Sequence, residues 1–230
     1  MAANRSAVRH VFEHRRQPYS FVRIRGPHVG WRRQMGVVLE TWIELQHRFY
    51  ERIGRVAYCY SERANVGLFA AAAWRCNHIA VEEFATRRSN GWRGPGRIDL
   101  FVQIGPCALC IEAKVIQLRA PQSEADWCTF WRLVQAQVRV ARHEAARASR
   151  GTFRHRLGIV FCVMSMAVAR SIPRWLREFA RNLDLQAARQ PMDFLAAYMP
   201  VGGLPADLER YPGVILAGSA TPAARILVRR

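Results

Sequence analysis

Apolar positions recur along this chain with two different periods, and the changes of period mark its elements. Over 36–53 the residues Val37, Val38, Thr41, Trp42, Leu45 and Phe49 return at helical spacing, predicting a helix with one buried stripe. Over 61–77 Ser61 is placed to cap a second helix. Val66, Leu68, Phe69, Ala70 to Ala73 and Trp74 make that helix apolar nearly all round, so it belongs inside the fold against a sheet. The period then drops to two. A short β-rich stretch at 78–86 precedes a clean alternation over 97–104, with Ile98, Leu100, Val102 and Ile104 on one face and Asp99, Phe101 and Gln103 on the other. Gly105-Pro106 makes a turn, and 107–118 returns as the second strand of a hairpin. A long helix follows over 125–149, its stripe formed by Trp127, Phe130, Trp131, Val134, Val138 and Ala141. The run 155–169 is so continuously apolar that it predicts a central strand covered on both faces. A helix with proline in its first turn is expected over 173–184, and further strands near 194–199 and 214–217.

Helix, three strands, helix, strand, then additions describes an α/β fold built on a mixed central sheet flanked by helices. Residues 1–35 read as a basic N-terminal arm, with Arg15-Arg16, Arg23, Arg25 and Arg32-Arg33 interrupted by Pro18 and Gly26-Pro27, and with a short strand near 19–24. Residues 36–170 form the core, and 171–230 an α/β extension packed on the same domain.

Composition narrows the class. Half of the 230 residues are hydrophobic, which excludes a disordered chain. No N-terminal apolar stretch resembles a signal peptide, and the run 157–169 is shorter than the ~20 residues a spanning helix needs, so a cytoplasmic protein without membrane association is expected. The six cysteines lie among apolar neighbours and are expected to be reduced. Cys107-X-X-Cys110 lacks a second pair at zinc-site spacing, and none of the histidines is assigned to catalysis. The formal charge of +18 points to a polyanionic partner, with nucleic acid first among such partners. Of the 35 cationic residues Lys114 is the one lysine. Arginine serves wherever a solvated positive charge suffices, whereas lysine offers a compact ammonium on a flexible stem.

The surroundings of Lys114 give that singularity a use. Alternation puts Glu112 beside it on one face of the return strand, and Asp99 is the one charge in the preceding apolar run. A hairpin that brings Asp99 and Glu112 together sets two carboxylates in near contact, and a divalent cation is the natural compensation. Asp99, Glu112 and the Ala113 backbone carbonyl offer the hard oxygen ligands that Mg²⁺ prefers, while Lys114 would hold an attacking water and stabilise charge developing on a phosphate. The bland alternative is a pair of edge acids with Lys114 as the ion-pair partner of one of them.

Asp99, followed after a short hairpin by Glu112-Ala113-Lys114, resembles the motif of the PD-(D/E)XK, or restriction-endonuclease-like, nuclease superfamily, although Ile98 stands where the motif's proline would be. The resemblance covers roughly residues 60–169 and extends to the αβββαβ order of elements. It implies a Mg²⁺-dependent phosphodiesterase, with Mn²⁺ able to substitute, acting on DNA ahead of RNA and as an endonuclease rather than an exonuclease. It also implies a role for Glu62, which matches the helical acid of that family as a metal ligand or as support for the metal's water shell. A homodimer, or a place in a larger repair or defence complex, is compatible with it. The alternative function is a non-catalytic nucleic-acid-binding or scaffold subunit with the same fold.

Other residues have weaker claims. Glu82 and Glu83 point to opposite faces of the first strand, so one of them is within reach of a metal there, though both suit a solvent-facing edge. Gln135 is placed to face the site from the long helix, and Gln137 is read as a surface residue. Arg87, Arg88, Arg93 and Arg97 with Trp92 are the candidate nucleic-acid contacts, arginine for phosphate and tryptophan for a base or sugar.

Overall fold

A computed structural model describes residues 8–10, 19–25, 30–86, 96–148, 153, 155–166, 172–200 and 211–220. The strands are β1 (Val8–His10), β2 (Phe21–Ile24), β3 (Ile79–Thr86), β4 (Gly96–Ile104), β5 (Cys107–Arg119), β6 (His155–Ser165), β7 (Phe194–Tyr198) and β8 (Gly213–Ala220). The helices are α1 (Trp31–Ile53), α2 (Glu62–Arg75), α3 (Glu124–Ala148) and α4 (Ile172–Arg189). All eight strands join one sheet in the order β1-β2-β7-β8-β6-β5-β4-β3. It is mixed: β5 and β6 run parallel, joined by α3 as their crossover, and the other neighbours are antiparallel. The protein is thus α/β, with a mixed sheet between two helical layers.

Alternation along the strands assigns the layers. Leu157, Ile159 and Phe161 of β6, with Phe194, Ala196, Tyr198, Val214 and Leu216 of β7 and β8, share one core with α1 and α2. Val160, Cys162 and Met164, with Leu195, Ala197, Ile215 and Ala217, pack on α3 and α4. The strand expected over 155–169 is the central β6 over its described length. It is bonded to β5 on one side and β8 on the other, with every residue from Leu157 to Met164 buried.

Three details differ from the sequence pattern. The helix expected from residue 36 starts at Trp31, and its buried stripe runs through Met35, Val38, Leu39, Trp42, Ile43 and Gln46, leaving Val37 49% exposed. Trp74 of α2 is 54% exposed, because its indole Nε1 donates to the Ala80 carbonyl at 2.9 Å at the surface. The basic segment before α1 supplies β2, whose Phe21, Val22 and Ile24 are buried beside β7.

The hairpin forms as its sequence dictates. Gly105 at φ +54° and Pro106 span the turn between paired Ile104 and Cys107, where glycine permits the left-handed conformation and proline holds the next φ. The β4–β5 ladder then runs back only as far as Leu100↔Ile111. Beyond that point β5 continues to Arg119 paired with β6 alone, so its other edge opens between β4 and α2. This opening positions the candidate site.

Candidate functional site

Where the ladder stops, two carboxylates take over its hydrogen bonds. Asp99 Oδ2 accepts from the Ala113 N–H at 2.8 Å, and Glu62 Oε2 accepts from the Val115 N–H at 3.2 Å. Residues 113 and 115 present their backbone groups to the same edge, so the Ala113 carbonyl lies on that edge as well. Asp99 comes from β4 and Glu62 from the start of α2, and the two meet neighbouring N–H groups on the open edge of β5. Glu62 is the first residue of α2, held there by Ser61, whose Oγ accepts from the Ala64 N–H at 3.1 Å.

Glu112 and Lys114 project from β5 toward α3. Glu112 is the one charged residue buried among the described residues, 7% exposed. Burial and a hydrogen bond and charge repulsion from Asp99 push its carboxyl up to about 9. Glu62 is also raised, by burial and then by Asp99, with the Lys114 charge and the Val115 N–H opposing. Lys114 Nζ lies 2.7 Å from Glu144 Oε2 of α3. Burial alone would lower the lysine, but the hydrogen bond and charge of Glu144, aided by Glu62 and Asp99, outweigh it and hold the ammonium above its ordinary value. Glu62, Asp99, Glu112, Lys114 and Glu144 therefore form one electrostatic unit.

Glu144 has no place in the sequence motif. Its one visible signal is that, after Glu124 and Asp126 in the first turn, it is the only acid on α3. Its reach depends on how closely α3 lies on the sheet, and Gly158 sets that distance: a Cβ there would stand 2.2 Å from the Arg142 nitrogen and 2.5 Å from the Val138 carbonyl. Gly158 is the β6 partner of Glu112.

The remaining candidates separate from this unit. Gln135 does not face the site; its Nε2 donates to Gln190 Oε1 at 2.7 Å. Glu82 is exposed, its carboxylate lying over Gly67 of α2. Glu83 pairs with Arg97 and Arg63. Arg87, Arg88, Trp92 and Arg93 lie outside the described residues. None of the six cysteines is in a disulfide, and Cys110 is buried against the Ala145 carbonyl.

The donor chemistry suits a hard divalent cation: carboxylates crowded enough to repel, one of them protonated near neutral pH, and a backbone carbonyl on the same edge. As they stand, no three His, Cys, Asp or Glu side chains among the described residues are gathered into a ready metal cluster. Asp99 and Glu62 each commit an oxygen to a β5 N–H. No described helix is long and apolar enough to cross a membrane. No family model, curated protein or solved structure matches this chain. The geometry of the site has to carry the functional reading.

Proposed function

We propose that this protein is a metal-dependent nuclease with a restriction-endonuclease-like core, hydrolysing phosphodiester bonds of nucleic acid, DNA ahead of RNA. One observation carries the reading: Asp99, Glu112 and Lys114, far too few to specify a site by their spacing, meet Glu62 where β5 runs on past the end of its ladder with β4. A structural ion pair needs no such opening. Asp99, Glu112, the Ala113 carbonyl and Glu62 would hold Mg²⁺ or Mn²⁺. A bound cation of this kind supplies a Lewis acid for a phosphate oxygen and lowers the pKa of a coordinated water.

The chain's own groups divide the remaining work. Lys114, kept as an ammonium by Glu144, orients the attacking water through its N–H donors and stabilises negative charge on the phosphate, rather than taking a proton. The strong positive charge draws a polyanion toward the acids, which alone would repel it. With one such site per chain, cutting both strands of a duplex calls for two copies or two events.

The test is incubation with plasmid, linear duplex, single-stranded DNA and RNA, with Mg²⁺ or Mn²⁺ and with chelator. Wild type is expected to cut at least one substrate only with metal. Asp99→Ala and Lys114→Ala are expected to slow that cutting roughly a thousandfold while staying folded. Undiminished cutting by Lys114→Ala sinks the mechanism, and metal-independent binding without cleavage by wild type favours the scaffold alternative.

A further inference from the structure

Glu83 sits in β3 at the position facing Asp99, between the pairs Glu82↔Leu100 and Phe84↔Ile98, yet it makes no ladder pair. Its φ is +53°, a left-handed conformation that a residue with a long side chain rarely adopts inside a strand. In a regular ladder its carboxylate would share a face with Asp99 and crowd the acids. The left-handed turn aims it elsewhere. Glu83 is absent from the charges that raise Glu62 and Glu112. It pairs instead with two arginines: Arg63 Nη2 lies 3.4 Å from Oε1, and Arg97 Nε contacts Oε2.

These arginines flank the site by construction. Arg63 follows Glu62 on α2, and Arg97 precedes Asp99 by two residues on β4, so both arginines start from backbone next to the acids. Both are open to solvent, at 79% and 60% exposure. Two guanidiniums converging on one carboxylate also suit a phosphodiester, which although tetrahedral presents a pair of charged oxygens on one atom to an arginine fork. We infer that Arg63 and Arg97 form a binding fork for a backbone phosphate of nucleic acid, and that Glu83 occupies this fork in the free protein as an internal stand-in for that phosphate. The inference rests on the nuclease reading for its ligand and adds both a binding site and an autoinhibitory contact. Substrate must displace Glu83, so the strained strand keeps the entrance electrically satisfied until a polyanion competes for it.

Binding of a fluorescein-labelled 30-base-pair duplex, followed by anisotropy in chelator so that no cutting occurs, tests this directly. Glu83→Gln keeps the shape and removes the competing charge, and it is expected to tighten binding about 3- to 10-fold at low salt. Glu83→Gly, which also relieves the left-handed φ, is expected to tighten binding similarly and to raise the melting temperature. In an Arg63→Ala/Arg97→Ala background the gain from Glu83→Gln should vanish. An equal gain there overturns the proposal, because the effect would then be one of net charge. Wild-type binding that Glu83→Gln leaves unchanged overturns it alone, and absence of duplex binding by every form overturns it together with the nucleic-acid reading.

Discussion

β5 and β6 are parallel neighbours in register, yet one carries the charges and the other carries none in its buried run. β6 is bonded along both edges, so every backbone group in its centre has a partner and only apolar side chains line it. β5 has the same support on one edge and loses it on the other beyond Ile111. The N–H groups of Ala113 and Val115 must then be met by something other than a strand, and Asp99 and Glu62 meet them. Acidic groups are thus tolerated in the middle of a core sheet because the ladder ends there. The comparison is sharpest at one register pair, Glu112↔Gly158. On β5 that position holds a buried acid raised to about 9; on β6 it holds a residue with no side chain, because α3 comes too close to allow one.

Substitutions at these two partners should therefore move stability in opposite directions. Gly158→Ala places a Cβ 2.2 Å from a backbone nitrogen of α3, which cannot yield without moving the helix. The expected loss is about 3 kcal/mol in urea unfolding, the range of an overpacked core. Because α3 also delivers Glu144 to Lys114, cleavage should fall further than the unfolded fraction accounts for. A loss below about 0.5 kcal/mol would mean that the helix has slack and that Gly158 does not set its distance.

Glu112→Gln should stabilise the metal-free protein. An acid raised in the folded state binds a proton there at pH values where the unfolded chain has released it. Stability in wild type must then fall as pH rises from the ordinary carboxylate range, near 4.5, toward about 9. Glutamine donates to Asp99 without carrying that proton, so the variant should match wild type near pH 4 and exceed it by about 2–3 kcal/mol at neutral pH. Glu40 on α1, raised to about 7 by burial and Glu44, adds a parallel fall over the lower part of this range. The interval from pH 7 to 9 is accordingly the discriminating one. Unfolding curves in chelator across that interval should be flatter for Glu112→Gln, and Mg²⁺ should narrow the difference by stabilising wild type. Parallel curves would remove Glu112 from the coupled unit.

The contrast also explains what the sequence discloses. Local pattern was enough for the β4–β5 hairpin, where alternation and Gly105-Pro106 determine the turn, and for β6, whose apolar run requires cover on both faces. Parity also predicts Glu112 and Lys114 on one face of β5, but it does not hold along β4, where Ile98 packs with Cys110 and Ala145 while Leu100, Val102 and Ile104 pack in the α1 and α2 core. What escaped depends on distances between distant segments. The insertion of β8 between β6 and β7, and the pairing of β2 with β7, follow from contacts between segments separated by long stretches of chain. Glu144 is invisible without the close approach at Gly158. Gln46 and Val37 mislead because the stripe of α1 is set by where Trp31 and Met35 anchor it, one position round from the apparent apolar repeat. Glu83 looks like an ordinary strand acid, and no composition rule marks its left-handed φ.

The smallest effect tests the link between the helix and the open edge. Ser61 caps α2 through the Ala64 N–H, and the Asn65 side chain donates to the Ser61 carbonyl at 2.8 Å. Ser61→Ala removes the first of these contacts and is expected to cost about 1 kcal/mol, seen as a fall in melting temperature of roughly 2–4 °C. Ser61→Asn should restore the cap without adding charge beside Glu62. If α2 matters to the site only by carrying Glu62 to the Val115 N–H, fraying its first turn should weaken the dependence of cleavage on metal concentration, shifting half-saturation upward by a few fold at unchanged rate under saturating metal, and Ser61→Asn should reverse the shift. A stability loss of the expected size with no shift in metal dependence would leave Glu62 as a strand-edge cap alone, with Asp99 and Glu112 as the acids left to hold a cation.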